Sequence, residues 1–292
     1  MRTMRAGSRS ITLAVTITIS GMLAVLAGAE AVHAGFGQPS PWQTGLQRAD
    51  TTEMNAIIAF NDYLMTLIIA IGGLVFAMLV FVMVRFNSRV HPVPTKRMGN
   101  RPLEITWTLA PFLLVLTMIY FSFGLLFFEE DIPKADVTVK ASGHQWYWHY
   151  GYPDHDIKYA SEMLPDSARK PGQPRLLAVN NDLVVPVDKI VRVQVIGADV
   201  IHSFAVPSFG IKVDAVPGRL NETWFKATRT GMYYGQCSEL CGMNHSFMPI
   251  AIRVVSDEEF AAWLTYAKQQ FAARKTPAPP SDTAAIPAGA AE

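Results

Sequence analysis

Two cysteines in 292 residues are too few for a disulfide-dense scaffold or a zinc site built only of thiolates. Charge is scarce as well: 17% of the chain, against about 25% in an average soluble protein. Neither sign dominates, with 25 basic and 24 acidic side chains. No basic field exists to drive sequence-independent nucleic-acid binding, so that class of function drops out. There is no Cys-x-x-Cys-His haem-attachment motif and no internal repeat. What the chain has is apolar mass. Half of its residues are hydrophobic, 16 of them Phe. That excludes a disordered chain, and with so little charge it is too apolar for an ordinary soluble one. The length leaves room for one or two globular units.

The apolar excess lies in the first half. Residues 1–34 run from Arg2, Arg5 and Arg9 through an apolar stretch, Ile11 to Ala27, to Val32-His33-Ala34. That order predicts a secretory signal peptide cut after Ala34; Ala29-Glu30-Ala31 has the same small-residue form, and a first membrane helix is the competing reading. Residues 63–84 and 105–128 carry no charge, and each is long enough to cross about 30 Å of hydrocarbon. Pro111 does not veto the second span. The linker holds Arg85, Arg89, Lys96, Arg97 and Arg101, which places it in the cytoplasm and both termini outside. The signal peptide independently implies the same side.

After Asp131 the pattern changes to short alternating segments: Val137 to Lys140, Leu183 to Val185, Val191 to Val195 and Ile250 to Val255. Pro153, Pro171-Gly172, Pro186, Gly210, Pro217-Gly218 and Gly231 punctuate them, which predicts a β-sandwich or barrel. Ser256 and Glu259 form a capping box ahead of a stripe of Phe260, Trp263, Leu264 and Ala267. The expected organisation is a signal peptide 1–34, an outer segment 35–60, a membrane hairpin 61–130, a β-domain 131–256, a helix 257–275 and a disordered tail 276–292. From Asp131 onward 17 acidic side chains face 16 basic ones, so a charged partner must meet a local patch.

The densest chemistry runs from Gly235 to Pro249, where Cys237, Cys241, His245 and Met248 fall within a dozen residues. A further imidazole, His202, lies on an earlier segment. Two cysteines in an oxidising compartment ordinarily form a disulfide. Here the bridge would close a very short loop and contribute little, and it would leave the His and Met placements unexplained. Thiolate, imidazole and thioether are a soft donor set that favours copper; zinc takes Cys and His but rarely Met. A single-copper site uses one Cys, so this loop has one too many. Two thiolates can instead bridge two coppers, with His202 and His245 as imidazoles and Met248 and a loop carbonyl as weak axial donors.

The run Cys237-Ser238-Glu239-Leu240-Cys241-Gly242-Met243-Asn244-His245-Ser246-Phe247-Met248-Pro249 resembles the dinuclear copper (CuA) loop of cytochrome c oxidase subunit 2. Gly143 to Trp148, Val200 to Phe204, Asp214 to Arg219 and Leu103 to Thr108 resemble further stretches of that family, in order over roughly residues 55–270. The resemblance implies a bacterial aa3-type subunit: a two-helix transmembrane hairpin carrying an all-β cupredoxin-like Greek-key barrel. By the same resemblance it would sit in the inner membrane, with the copper domain and both termini in the periplasm. By resemblance, Cys237 and Cys241 bridge two coppers; His202 and Met248 complete one, and His245 and the Glu239 carbonyl the other. The Glu239 side chain would face a magnesium ion at the contact with catalytic subunit 1. Trp146 would receive electrons from cytochrome c, and Glu104 would admit protons at the cytoplasmic start of the second span. Glu104 also reads as a helix N-terminal carboxylate.

Asp199 matches a docking position for the donor, with Asp154, Asp156, Glu162 and Asp182 nearby; Gly151 departs from an acidic family position. Asp214 and Arg219 read as an ion pair or as interface residues. The implied activity is electron transfer to the haem of the catalytic subunit, for oxygen reduction coupled to proton pumping. Implied partners are cytochrome c, subunits 1 and 3 and the lipid membrane, with no nucleic acid. The chain has no cluster of membrane histidines, so oxygen chemistry belongs to a partner. A quinol-oxidase relative would lack these ligands, and a nitrous-oxide-reductase-type domain would not need the spans. A structural β-domain stapled by a disulfide is the plain alternative.

Overall fold

The computed structural model describes residues 37–93, 96 and 98–272. The predicted signal peptide and tail lie outside the described residues. Among the described residues two long helices come first, α1 (Thr52–Arg85) and α2 (Arg101–Glu130). Both expose large apolar side chains, Phe76, Leu79, Phe112 and Phe123 among them. An outer surface this apolar suits lipid, and length and composition make both helices membrane spans. Between them, Tyr63 Oη and Thr117 Oγ1 lie 2.6 Å apart and satisfy each other within the apolar layer.

Each helix runs beyond its predicted apolar stretch. Helix α1 begins within the segment expected to precede the hairpin, because Thr51 supplies a cap: its Oγ1 accepts from Met54 N at 3.0 Å. The same hydroxyl donates to the Phe209 carbonyl at 2.8 Å, and Asp50 pairs with Arg229, so the first turn is fastened to the β-domain. At the far end of α2, Trp224 Nε1 donates to the Glu129 carbonyl at 3.1 Å and its ring meets Phe128 edge-on. Pro111 sits inside α2.

Ten strands follow: β1 (Val137–His144), β2 (Tyr147–Tyr152), β3 (Ile157–Ser161), β4 (Leu183–Pro186), β5 (Ile190–Gly197), β6 (His202–Val206), β7 (Ile211–Ala215), β8 (Asn221–Lys226), β9 (Gly231–Cys237) and β10 (Pro249–Val255). They form two five-stranded sheets, ordered β3-β2-β1-β5-β8 and β4-β10-β9-β6-β7. The β1–β5 and β4–β10 pairs are parallel and the rest antiparallel. This is the expected hairpin plus all-β domain, the latter a sandwich of half-barrel form. Val191, Val193 and Val195 on β5 point into the core with Trp148, Tyr150, Phe204, Tyr233, Ile250 and Ile252. Helix α3 (Asp257–Ala272) packs against the edge strands β3 and β4. Its predicted capping box is made: Glu259 N donates to Ser256 Oγ, and Ser256 N to Glu259 Oε2. Trp263 packs on Tyr152.

Candidate metal centre

Three connections meet at one end of the sandwich. The β1–β2 turn brings Gln145 and Trp146, the β5–β6 link brings Asp199, and the loop from β9 to β10 brings residues 238–248. His202 opens β6 and Cys237 closes β9; pairing of Phe204 with Cys237 draws these two strand ends together. The register is continued by Ser238 N donating to the Ser203 carbonyl at 3.1 Å.

All the donors expected from sequence converge. Cys237 Sγ lies 3.9 Å from His202 Nδ1, 3.9 Å from Cys241 Sγ and 3.3 Å from the Glu239 carbonyl. Cys241 Sγ lies 3.6 Å from His245 Nδ1 and 3.5 Å from Met248 Sδ. The ligating atoms of His202, Cys237 and Cys241 all fall within 4.8 Å of one another. His202, Cys237, Cys241 and Met248 are buried. The two thiols are unbonded, and 3.9 Å is far beyond a disulfide length of about 2.05 Å. Soft donors facing one another at such separations fit a soft metal between them.

The electrostatics match. Burial acts to raise the Cys237 thiol, but hydrogen bonds with His202, the backbone at Glu239 and Ser203, and His245 outweigh it and bring it below the usual range. Burial and the neighbouring Cys237 charge push Cys241 up. The pair therefore loses its protons in two separated steps.

The surrounding groups fix the ligands. Asp199 Oδ1 accepts from His202 Nε2 at 2.8 Å, which turns Nδ1 toward the thiols. Asp199 also accepts from the backbone N–H of Gln145 and of Val200, each at 2.7 Å. Burial acts to raise this carboxyl, and its bonds to His202 and the two amides bring it below the usual carboxylate range. Trp146 is half-buried; its Nε1 and Gln145 Nε2 both donate to the Cys241 carbonyl, at 3.3 and 2.8 Å. The Gln145–Trp146 peptide is cis. Trp148 donates to the Met248 carbonyl at 3.3 Å and packs against His202 and Phe204. Gly143 faces the His202 ring so closely that an added Cβ would stand 2.8 Å from its Cγ and Cδ2.

The remaining predicted residues lie elsewhere. Glu239 lines an open groove of about 820 Å³ together with Asp214, Arg219, Lys212 and Glu130. Asp214 and Arg219 form no ion pair within 4 Å among the described residues. Asp182 is engaged by Arg253 at 3.3 Å. Glu104 sits in the first turn of α2, at the end away from the β-domain, where its Oε1 accepts from Asn100 N at 3.0 Å. Gly143, Gln145 and Trp148 entered the sequence reading only as part of a family-like stretch; their contacts with the ligands, and the His202-orienting part of Asp199, escaped it. Only the Asp-x-x-His spacing hinted at the last.

Comparison with known proteins adds two profile matches, two relatives and one solved structure. The family profile described as cytochrome C oxidase subunit II, periplasmic domain, matches residues 137–255, and the transmembrane domain profile of the same family matches residues 39–125. A probable cytochrome c oxidase subunit 2 of Rickettsia bellii is 50% identical over 228 residues, covering 78% of this chain and 85% of that one. The cytochrome c oxidase subunit 2 of Cereibacter sphaeroides is 43% identical over 251 residues, covering 80% and 83%. A crystal structure of the periplasmic domain of subunit II of cytochrome oxidase from Bradyrhizobium japonicum is 64% identical, covers 48% of this chain and 99% of that one, and superposes with a TM-score of 0.46.

Proposed function

The chain belongs to the cytochrome c oxidase subunit II family, and on that premise we propose that it is the electron-accepting subunit of its haem-copper oxidase. In this reading it takes electrons from cytochrome c at a dinuclear copper centre and passes them to the haem of catalytic subunit 1. The complex, with subunit 3, reduces oxygen and pumps protons. The observation that carries the reading is the convergence of two imidazoles, a thioether and a carbonyl around two unbonded, buried thiols.

Cys237 and Cys241 would bridge the two ions. His202 and Met248 would hold one, and His245 and the Glu239 carbonyl the other. When bound, the copper pair supplies a one-electron acceptor and donor whose charge change is shared over both ions. The protein's part is to keep these ligands in one geometry in both oxidation states. Asp199 fixes the His202 ring, Trp148 fixes the Met248 backbone, and Phe204 and the buried thiols keep the site dry. Trp146 is the electron-receiving residue: half-exposed, with its indole N–H on the carbonyl of a bridging cysteine. Asp199, still partly exposed, stands beside it as one carboxylate for the donor. Glu239 would take a magnesium ion in the groove with Asp214 and Arg219, at the contact with subunit 1. Glu104 would serve proton uptake from the cytoplasm; the basic linker beside it supports that orientation, with the β-domain in the periplasm of a bacterial inner membrane.

The test is copper titration and EPR of the full chain in detergent. Two coppers per chain, with hyperfine structure from one electron shared by two nuclei, is the expected result; one localised copper would refute the dinuclear centre. A Trp146→Phe variant with full copper content should accept electrons from cytochrome c more slowly. Unchanged acceptance would remove Trp146 from the route.

A further inference from the structure

Gln145 precedes Trp146 in the turn from β1 to β2. The residue is exposed, yet its backbone and its side chain are both engaged. Its backbone N donates to Asp199 Oδ2 at 2.7 Å. Its side-chain Nε2 donates to the Cys241 carbonyl at 2.8 Å, across 96 positions of the chain. Gln145 therefore ties three connections together: the β1–β2 turn, the β5–β6 link and the loop from β9 to β10.

The Cys241 carbonyl also accepts from Trp146 Nε1, at 3.3 Å. Packing on the core holds the Trp146 ring from behind. On the loop side the indole has one donor to offer, and its bond is longer than the usual N–H···O contact. The bond from Gln145 is the shorter and firmer of the two. Gly242, the next residue after Cys241, leaves room for both groups. A Cβ added there would stand 3.1 Å from Gln145 Nε2 and 3.2 Å from Trp146 Cζ2. Amide and indole thus rest together on the ligand loop, joined through one acceptor.

We propose that Gln145 is a positioning residue for electron entry: by holding the Cys241 carbonyl in place, it keeps the Trp146 indole N–H on the backbone of that cysteine. The inference rests on the reading that Trp146 receives the electron and Cys241 bridges the metal. The chemistry of the side chain suits this role. Asn is one methylene shorter and would not reach the carbonyl. Glu, when ionised, brings no N–H. Lys or Arg would set a cation beside Asp199, the carboxylate proposed to face the donor.

Gln145→Met keeps the length of the side chain and removes the donor. The first measurement uses the metal-free full chain in detergent, isotopically labelled at its indole nitrogens. The Trp146 signal is identified by its absence in Trp146→Phe. Its N–H should exchange with solvent about 2- to 10-fold faster in Gln145→Met, the factor that one hydrogen bond is worth. The second measurement mixes the copper-loaded chain with reduced cytochrome c. The limiting rate of electron acceptance should fall by about 2- to 10-fold, with the half-saturating cytochrome concentration unchanged. In a Trp146→Phe background the same substitution should cost nothing further, because the two residues act as one path. Unchanged indole exchange, a loss confined to the half-saturating concentration, or a loss that adds to that of Trp146→Phe would each overturn the proposal. A Gln145→Met chain that no longer holds two coppers is judged on the metal-free exchange alone. Normal acceptance by Trp146→Phe would remove Trp146 from the route, and the proposal with it. Slow acceptance by Trp146→Phe beside a normal rate in Gln145→Met would overturn the proposal alone.

Discussion

Gly143→Ala is the most discriminating change this structure offers at the metal centre. Gly143 pairs with Trp148 across β1–β2, and its open side is filled by the His202 ring. The new methyl would stand 2.8 Å from Cγ and Cδ2 and 3.0 Å from Cβ of His202. To reach ordinary contact the ring must retreat by about 0.6 Å. It has nowhere free to go. His202 is fully buried, tied through Nε2 to Asp199 and flanked by Trp148. Overpacking of this kind costs about 1–3 kcal/mol of fold stability, and displacement of a ligand's support typically costs about 10–100-fold in metal affinity. The control is Gly151→Ala on β2, where the nearest atoms to an added Cβ stand at 3.8 Å. Copper affinity from chelator competition, with denaturant melts of the metal-free chain, separates the two variants. Wild-type affinity in Gly143→Ala, or equal losses in both, would refute the steric argument.

Three further outcomes follow from the same geometry. Asp199→Asn should weaken copper binding about 10–100-fold, because one carboxylate now accepts three donors and an amide must turn an N–H toward one of them; chelator competition reads the loss, and unchanged affinity would count against the orienting role. In the metal-free chain, Cys237 ionises at lower pH than Cys241, so iodoacetamide should label Cys237 first near neutral pH and the gap should narrow as pH rises; peptide mass spectrometry giving equal rates would overturn the assignment. Glu104→Ala should slow turnover of the assembled oxidase severalfold at full copper content; since Glu104 also closes the α2 N-terminal turn, a normal rate would leave it that structural role alone.

The hairpin was legible because lipid-facing helices are apolar on every side, a signal needing no tertiary context. The ligand loop was legible because four of its donors lie within twelve residues. Among the strands, β5 announced itself by alternation. Strand β6, His202–Val206, did not, since all five of its residues are buried and the period of two disappears. The aromatic-rich β2 likewise buries four of its six residues. Helix α1 outran its apolar stretch because its first turn rests on the β-domain rather than in lipid. The steric role of Gly143 could not be found at all. Its meaning lies in a residue 59 positions away, brought beside it only by packing.

The centre is also divided by chain distance. Cys237, Cys241, His245 and Met248 belong to one short loop, while His202 is 35 residues upstream of Cys237. The loop can gather its donors as soon as it is made. His202 joins them only when β6 has found β9 in the observed register, Phe204 opposite Cys237. A slip of one residue would turn His202 to the other face of the sheet. Metal binding would therefore act as a proofreading step on strand pairing: a domain in the wrong register keeps the loop but lacks the imidazole of His202.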